Sequence, residues 1–180
     1  FVRNTIESVL AQDYPHLEYF VIDGGSDDES VDIIKEYDDQ IDYWVSEPDE
    51  GQSDALNKGF SRATGNFLTW LNSDDILLPG ALDRVGCAAK AFPKHKWFAG
   101  NVVLINEAGD IIKCSRQINR NVLAWRLGSL GVGGPSSFFA KELFNEVGPF
   151  RTDLHFRMDA DMWYRFFKFG ARFKRIPEYL

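Results

Sequence analysis

The apolar positions of the first 75 residues change period repeatedly. In FVRNTIESVLAQDYP, Val2, Ile6, Val9 and Leu10 recur at helical spacing and predict a helix. LEYFVIDGGSDDES then holds a short apolar run, Tyr19 to Ile22, that stops at Asp23-Gly24-Gly25-Ser26. This predicts a buried strand and a turn. Ser30 to Tyr37 predicts a helix with its N-cap among Ser26, Asp27 and Asp28. Tyr43 to Val45 predicts a second strand, before a turn with Pro48 and Gly51. SDALNKGFSRAT predicts an amphipathic helix with Ala55, Leu56, Phe60 and Ala63 inward and Gly65 as its stop. NFLTWL predicts a third strand running into Asn72-Ser73-Asp74-Asp75.

Strands alternating with helices imply βαβ units, and so an α/β fold with a mostly parallel central sheet and helices on both faces. Ligands of such sheets bind beyond the carboxyl ends of the strands. Asp23 and Asp74-Asp75 both follow predicted strand ends and are expected to meet at one edge. A domain opening in mid-helix also predicts that an N-terminal strand precedes Phe1.

The second half reads differently. PGALDRVGCAAKAF predicts a helix, and WFAGNVVLINEAGDIIKCSR predicts a hairpin around Glu107 to Asp110. LGSLGVGGPSSFFA, rich in Gly and Ser, reads as a loop. KELFNEVG and MDADMWYRFFKFG predict two helices ended by glycine, and KRIPEYL closes on a strand.

Composition narrows the class. At 180 residues the chain fits one domain, and 44% hydrophobic with 26% charged residues reads as globular and soluble. A formal net charge of -7 argues against a nucleic-acid partner. Cys87 and Cys114 have no CxxC spacing, which points to neither a metal knuckle nor a disulfide framework and to a reducing compartment. No apolar run approaches the roughly 20 residues of a membrane span, and no signal peptide is visible. His16, His95 and His155 are scattered without ligand spacing.

Chemistry concentrates in the acids. Adjacent carboxylates at a strand end repel each other, and a divalent cation relieves that cost. By residue type alone the commoner role of such a pair is the helix N-cap, here of a following turn. On a helix, Asp159 and Asp161 lie ~200° apart. Asp159 joins the inward stripe of Met162, Trp163 and Phe166, whereas Asp161 reaches Arg165 at i+4. Trp70 reads as core, and Trp163 as core or as a sugar-stacking platform.

Taken in order, VIDGGSDDES, SEPDEGQSDALNKGFSRATG, GNFLTWLNSDDILLPGAL and MDADMWYRF resemble the family 2 glycosyltransferases of GT-A fold, in particular the bacterial surface-polysaccharide type. The resemblance spans nearly the whole chain. It implies a Rossmann-like three-layer α/β/α catalytic domain over 1–180, with a nucleotide-sugar-binding half (1–75) and an acceptor-binding half (76–180). It implies inverting, hexosyltransferase-like transfer from a nucleotide-sugar, a UDP-sugar first, to a hydroxyl of a glycan or lipid-linked acceptor. The setting it implies is the cytoplasm, with peripheral association at the inner face of the membrane.

The resemblance puts Asp23 near the base and ribose, Asp54 and Lys58 beside the donor, Asn72 at the first position of a DxD-type motif, Asp74 toward ribose or diphosphate, Asp75 on Mg²⁺ or Mn²⁺, and Asp159 as general base. Three departures stand out: Gly24 where many members have a second Asp, Asn72 where an acid is common, and Met158 where a Glu is usual. The GVGGPSSFF stretch is the expected acceptor-side loop. A nucleotidyltransferase and a non-catalytic nucleotide-sugar-binding domain are the alternatives.

Overall fold

A computed structural model describes residues 1–118 and 133–180. The predicted loop from Leu127 to Ala140 therefore lies partly outside the described residues. In chain order the elements are α1 (Val2–Leu10), β1 (Phe20–Asp23), α2 (Ser30–Lys35), a 3-10 turn (Asp38–Gln40), β2 (Tyr43–Ser46), α3 (Gln52–Arg62), β3 (Phe67–Leu68), α4 (Ala81–Ala91), β4 (Trp97–Ile105), β5 (Ile111–Ser115), β6 (Ser137–Ala140), α5 (Lys141–Val147), α6 (Met158–Lys168) and β7 (Lys174–Tyr179).

The strands do not form one mostly parallel sheet. β1 and β2 pair parallel in a sheet of two, with Asp23 opposite Ser46. The larger sheet runs β3-β6-β4-β5, and each of these neighbours is antiparallel; only β7 joins it parallel, on β4. Two features hidden in the sequence produce this. Ser137–Ala140, expected as loop, is a fully buried strand inserted between β3 and β4. A three-residue apolar run behind Gly-Gly-Pro-Ser-Ser carries no periodicity that distinguishes it from loop. The expected third strand also shrinks to Phe67–Leu68, because Trp70 turns into an aromatic stack instead of continuing the ladder.

Side-chain alternation gives the larger sheet two apolar faces. Trp97, Ala99 and Phe139 pack with Phe60 of α3, Leu143 and Phe144 of α5, and Met162, Trp163 and Phe166 of α6. Phe98, Phe138, Ile176 and Leu180 pack with Val9 of α1 and with Leu82 and Val85 of α4. Helices thus cover both faces, as expected. Trp163 is stacked between Trp97 (4.9 Å between centroids) and Trp70 (5.8 Å). Burying each such ring stabilises the fold by roughly 2 kcal/mol, with a further contribution from ring geometry. A cavity of about 660 Å³ is lined by β1, the Asn66–Leu71 segment, α1 and α3.

Candidate active site

Asp23 ends β1 with its carboxylate fully engaged. It accepts hydrogen bonds from Gly25 N (3.1 Å), Ser26 N (2.9 Å), Ser26 Oγ (2.6 Å) and, across the strand pair, Ser46 Oγ (2.6 Å). Burial pushes its pKa up, but these donors outweigh it and hold the group below the usual carboxylate range. Gly25 closes the turn at φ +86°, a conformation that favours glycine. The neighbouring Gly24 has a structural counterpart. A Cβ there would lie 2.8 Å from Oδ2 of Asp49, so a second acid at position 24 would displace a carboxylate already in place. The approach of Asp49 to Gly24 was not legible in the sequence, because 25 positions separate them in the chain.

The β2–α3 connection joins this strand end to the next. Lys58 Nζ pairs with Glu47 (2.9 Å) and Asp54 (3.3 Å), and its hydrogen bond to Glu47 leads in raising its pKa. Asp54 also accepts from Glu50 N. Asn57 is not a solvated position. Its amide donates to Phe150 O (2.8 Å) and accepts from Phe150 N (2.9 Å), stapling α3 to the segment that leads into α6. At the start of α3, the Gln52 amide donates to Asn72 Oδ1.

Asn72 to Asp75 form a turn closed by Asp75 N donating to Asn72 O at 3.1 Å. The Asn72 amide donates to Asp75 Oδ2 at 2.7 Å. An ionised acid at position 72 could not make that bond, so the amide supports Asp75 where a carboxylate would repel it. Asp75 is half-buried and Asp74 exposed. Burial raises the pKa of Asp75 and the neighbouring Asp74 adds to this, while the Asn72 hydrogen bonds work the other way. The helix-cap reading of the pair fails, since α4 begins at Ala81 after Gly80.

Asp159 sits in the first turn of α6, half-buried, and accepts from Ala160 N at 2.7 Å. Asp161 pairs with Arg165 at 2.8 Å, and Arg165 also donates to Val147 O and Gly148 O, so this acid ties α6 to the end of α5. The i+4 pair of Asp161 with Arg165 forms as its spacing predicts, and both carboxylates are half-buried. One turn beyond Asp159, Trp163 is fully buried and stacks on Trp70, two residues before Asn72. That burial removes the sugar-platform reading of Trp163 and anchors the Asp159 helix to the chain leading into the Asn72–Asp75 turn.

His155 is exposed. Among the described residues no group of three His, Cys, Asp or Glu gathers as a ready-made metal cage. The donor set at Asp75 is instead hard oxygen and incomplete, which suits a Mg²⁺-type ion that fills its remaining positions with water and phosphate oxygens. The 660 Å³ cavity is predominantly apolar, and its lining includes none of Asp23, Asp75 and Asp159, so it is not where these acids act.

Three acids thus stand on separate parts of this α/β fold: Asp23 at the end of β1, Asp75 in the turn beyond β3, and Asp159 in the first turn of α6. The chain belongs to the family described as Glycosyl transferase family 2, whose profile matches residues 1–141. It is 27% identical over 178 residues to an uncharacterised glycosyltransferase of Rickettsia prowazekii, covering 95% of this chain and 56% of that protein. It is 31% identical over 166 residues to one of Mycobacterium tuberculosis, covering 89% of this chain and 60% of that protein.

Among solved structures, S. aureus TarS 1-349 in complex with UDP-GlcNAc matches at a TM-score of 0.71 and 17% identity, covering 100% of this chain and 54% of that one. The Pyrobaculum calidifontis mannosyltransferase PcManGT in complex with GDP-Man and Mn²⁺ matches at 0.68 and 20%, covering 98% and 50%. At these identities the likeness is one of fold, an α/β GT-A-like fold with a mixed sheet. The chain spans between 50% and 60% of the length of these four proteins. No helix among the described residues is long and apolar enough to cross a membrane.

Proposed function

We propose that this chain is the catalytic domain of a metal-dependent inverting glycosyltransferase acting in cell-surface polysaccharide synthesis at the cytoplasmic face of the membrane. The observation that carries the reading is the Asn72–Asp75 turn, in which a half-buried carboxylate is held by an amide and linked through Gln52 to the start of α3. The nucleotide-sugar half is 1–75 and the acceptor half 76–180. Asp23 and Asp49 form the base and ribose end. Asp54 and Lys58 flank the donor through the Glu47 network. Asn72 supports Asp75, and Asp74, exposed beside it, faces the ribose or diphosphate.

Asp75 would hold Mg²⁺ or Mn²⁺ together with the donor's diphosphate. When bound, that ion supplies positive charge to the departing nucleoside diphosphate. Asp159 takes the proton of the acceptor hydroxyl as its oxygen attacks the anomeric carbon and the bond to the diphosphate oxygen breaks, inverting the centre. A UDP-sugar is the first donor class, a preference supported by the fold shared with TarS solved with UDP-GlcNAc. A glycan or lipid-linked hydroxyl is the acceptor class. Thermal shift with UDP, GDP and dTDP, with and without Mn²⁺, tests this together with donor hydrolysis. Metal-dependent stabilisation by one diphosphate with turnover is expected. Stabilisation without turnover would favour a binding domain, and pyrophosphate release from a nucleoside triphosphate a nucleotidyltransferase.

A further inference from the structure

Between Leu68 and Ala81 the chain belongs to no strand or helix, yet it carries Asp74 and Asp75. What shapes it comes from another element. Helix α1 and its C-terminal edge present Thr5, Ser8 and Gln12 at i, i+3 and i+7, one polar stripe beside the buried Ile6 and Val9. All three reach the 73–82 segment. Thr5 Oγ1 lies 2.9 Å from Ser73 O and 2.8 Å from Asp75 O. A hydroxyl has one proton, so the two carbonyls that bracket Asp74 share it.

Ser8 Oγ accepts from Leu77 N (3.1 Å) and donates to Thr5 O (2.8 Å). Gln12 donates to Leu78 O (3.1 Å) and accepts from Leu82 N (3.3 Å), in the first turn of α4. Thr5 and Gln12 are buried, at 6% and 7% exposure, so water does not compete for these contacts. Each bond runs to backbone, which makes the stripe a template for the path of the segment.

We infer that Thr5 is a positioning residue for Asp75: its buried hydroxyl, clamped on the carbonyls of Ser73 and Asp75, sets the turn that aims the Asp75 carboxylate at the cation of the donor complex. This rests on the proposed role of Asp75. Groups that orient a metal ligand typically cost about 10–100-fold in metal affinity when removed. Thr5→Val keeps the shape and removes the hydroxyl, whereas Thr5→Ser keeps the hydroxyl.

The test is Mn²⁺ binding to the complete protein in the presence of UDP, read from the electron paramagnetic resonance of free Mn²⁺. Circular dichroism checks the fold, and UDP binding without metal serves as a second readout. Thr5→Val is expected to weaken Mn²⁺ binding about tenfold with metal-free UDP binding unchanged, and Thr5→Ser to restore it to within about twofold. Wild-type Mn²⁺ binding by Thr5→Val, or failure of Thr5→Ser to restore it, overturns the inference. If Thr5→Val does not fold, Ser8→Ala carries the test, with weaker Mn²⁺ binding expected and no change overturning it. Asp75→Asn in the same assay separates the two levels. If it binds Mn²⁺ like wild type, the role of Asp75 itself fails; if it alone loses the metal, only the role of Thr5 fails.

Discussion

Asn57 offers a direct test of how α3 is tied to the helix that carries Asp159. Its side chain imitates a strand partner, exchanging two hydrogen bonds of 2.8 and 2.9 Å with the backbone of Phe150, a residue 2% exposed. Asn57→Ala deletes both at once. At about 0.5–1.5 kcal/mol per bond the loss is about 1–3 kcal/mol, and the stranded Phe150 N–H and C=O push it toward the upper end. Helix propensity runs the other way by only a few tenths of a kcal/mol, since Ala is the better helix former. For a domain near this size each kcal/mol lowers Tm by roughly 2–4 °C, so a loss of about 2 kcal/mol predicts a drop of about 4–8 °C. The assay is thermal unfolding followed by circular dichroism, with urea denaturation to give the free energy. Asn57→Asp, which keeps the acceptor for Phe150 N and loses the donor, is expected to fall between Ala and wild type. A solvated helix position would change stability by no more than about 0.5 kcal/mol. That result for Asn57→Ala would refute the staple.

Two further predictions concern the acids. Asp159→Asn is expected to leave UDP binding within about twofold while lowering transfer by at least about 10²-fold, the typical contribution of a general base; near-normal transfer would remove Asp159 from that role. Asp23 has a lowered folded-state pKa, so its contribution to stability is present above the ordinary carboxylate pKa of about 3.9 and is lost as pH falls through the folded value. The stability difference between wild type and Asp23→Asn is therefore expected to stay level from pH 7 down to about pH 4 and to shrink below that. A difference that grows on acidification would contradict the hydrogen-bonded geometry at the end of β1.

What the sequence made legible follows from the range of the interactions involved. The ion pair of Asp161 was legible because a helix sorts neighbours by angle, and Arg165 stood at i+4 to claim it. The β4–β5 hairpin was visible because its turn residues, Glu107 to Asp110, interrupt two apolar runs. β6 stayed hidden because a short, wholly buried strand has no polar face to alternate with. The strand leading to Asn72 was overextended because nothing local says that Trp70 belongs to a stack with a residue 93 positions later.

Asn57 and Thr5 escaped for a related reason. Their partners are backbone atoms 93 and about 70 residues away, and backbone carries no sequence signal. The amide at Asn72 read as a missing acid until its two hydrogen bonds showed what an amide contributes there. The order of the motifs carried the family, which the profile match over residues 1–141 bears out. The antiparallel larger sheet was beyond reach, because a count of alternating strands and helices says nothing about which strand inserts between which.

In the proposed mechanism the Asn72–Asp75 turn holds the cation that binds the donor's diphosphate. Calorimetric titration of UDP into wild type and Asp75→Ala, each with and without Mn²⁺, measures this. Mn²⁺ is expected to tighten UDP binding to wild type by at least about tenfold, as a metal shared between carboxylate and phosphate would, and to have no effect on Asp75→Ala. An equal Mn²⁺ enhancement in both proteins would contradict it.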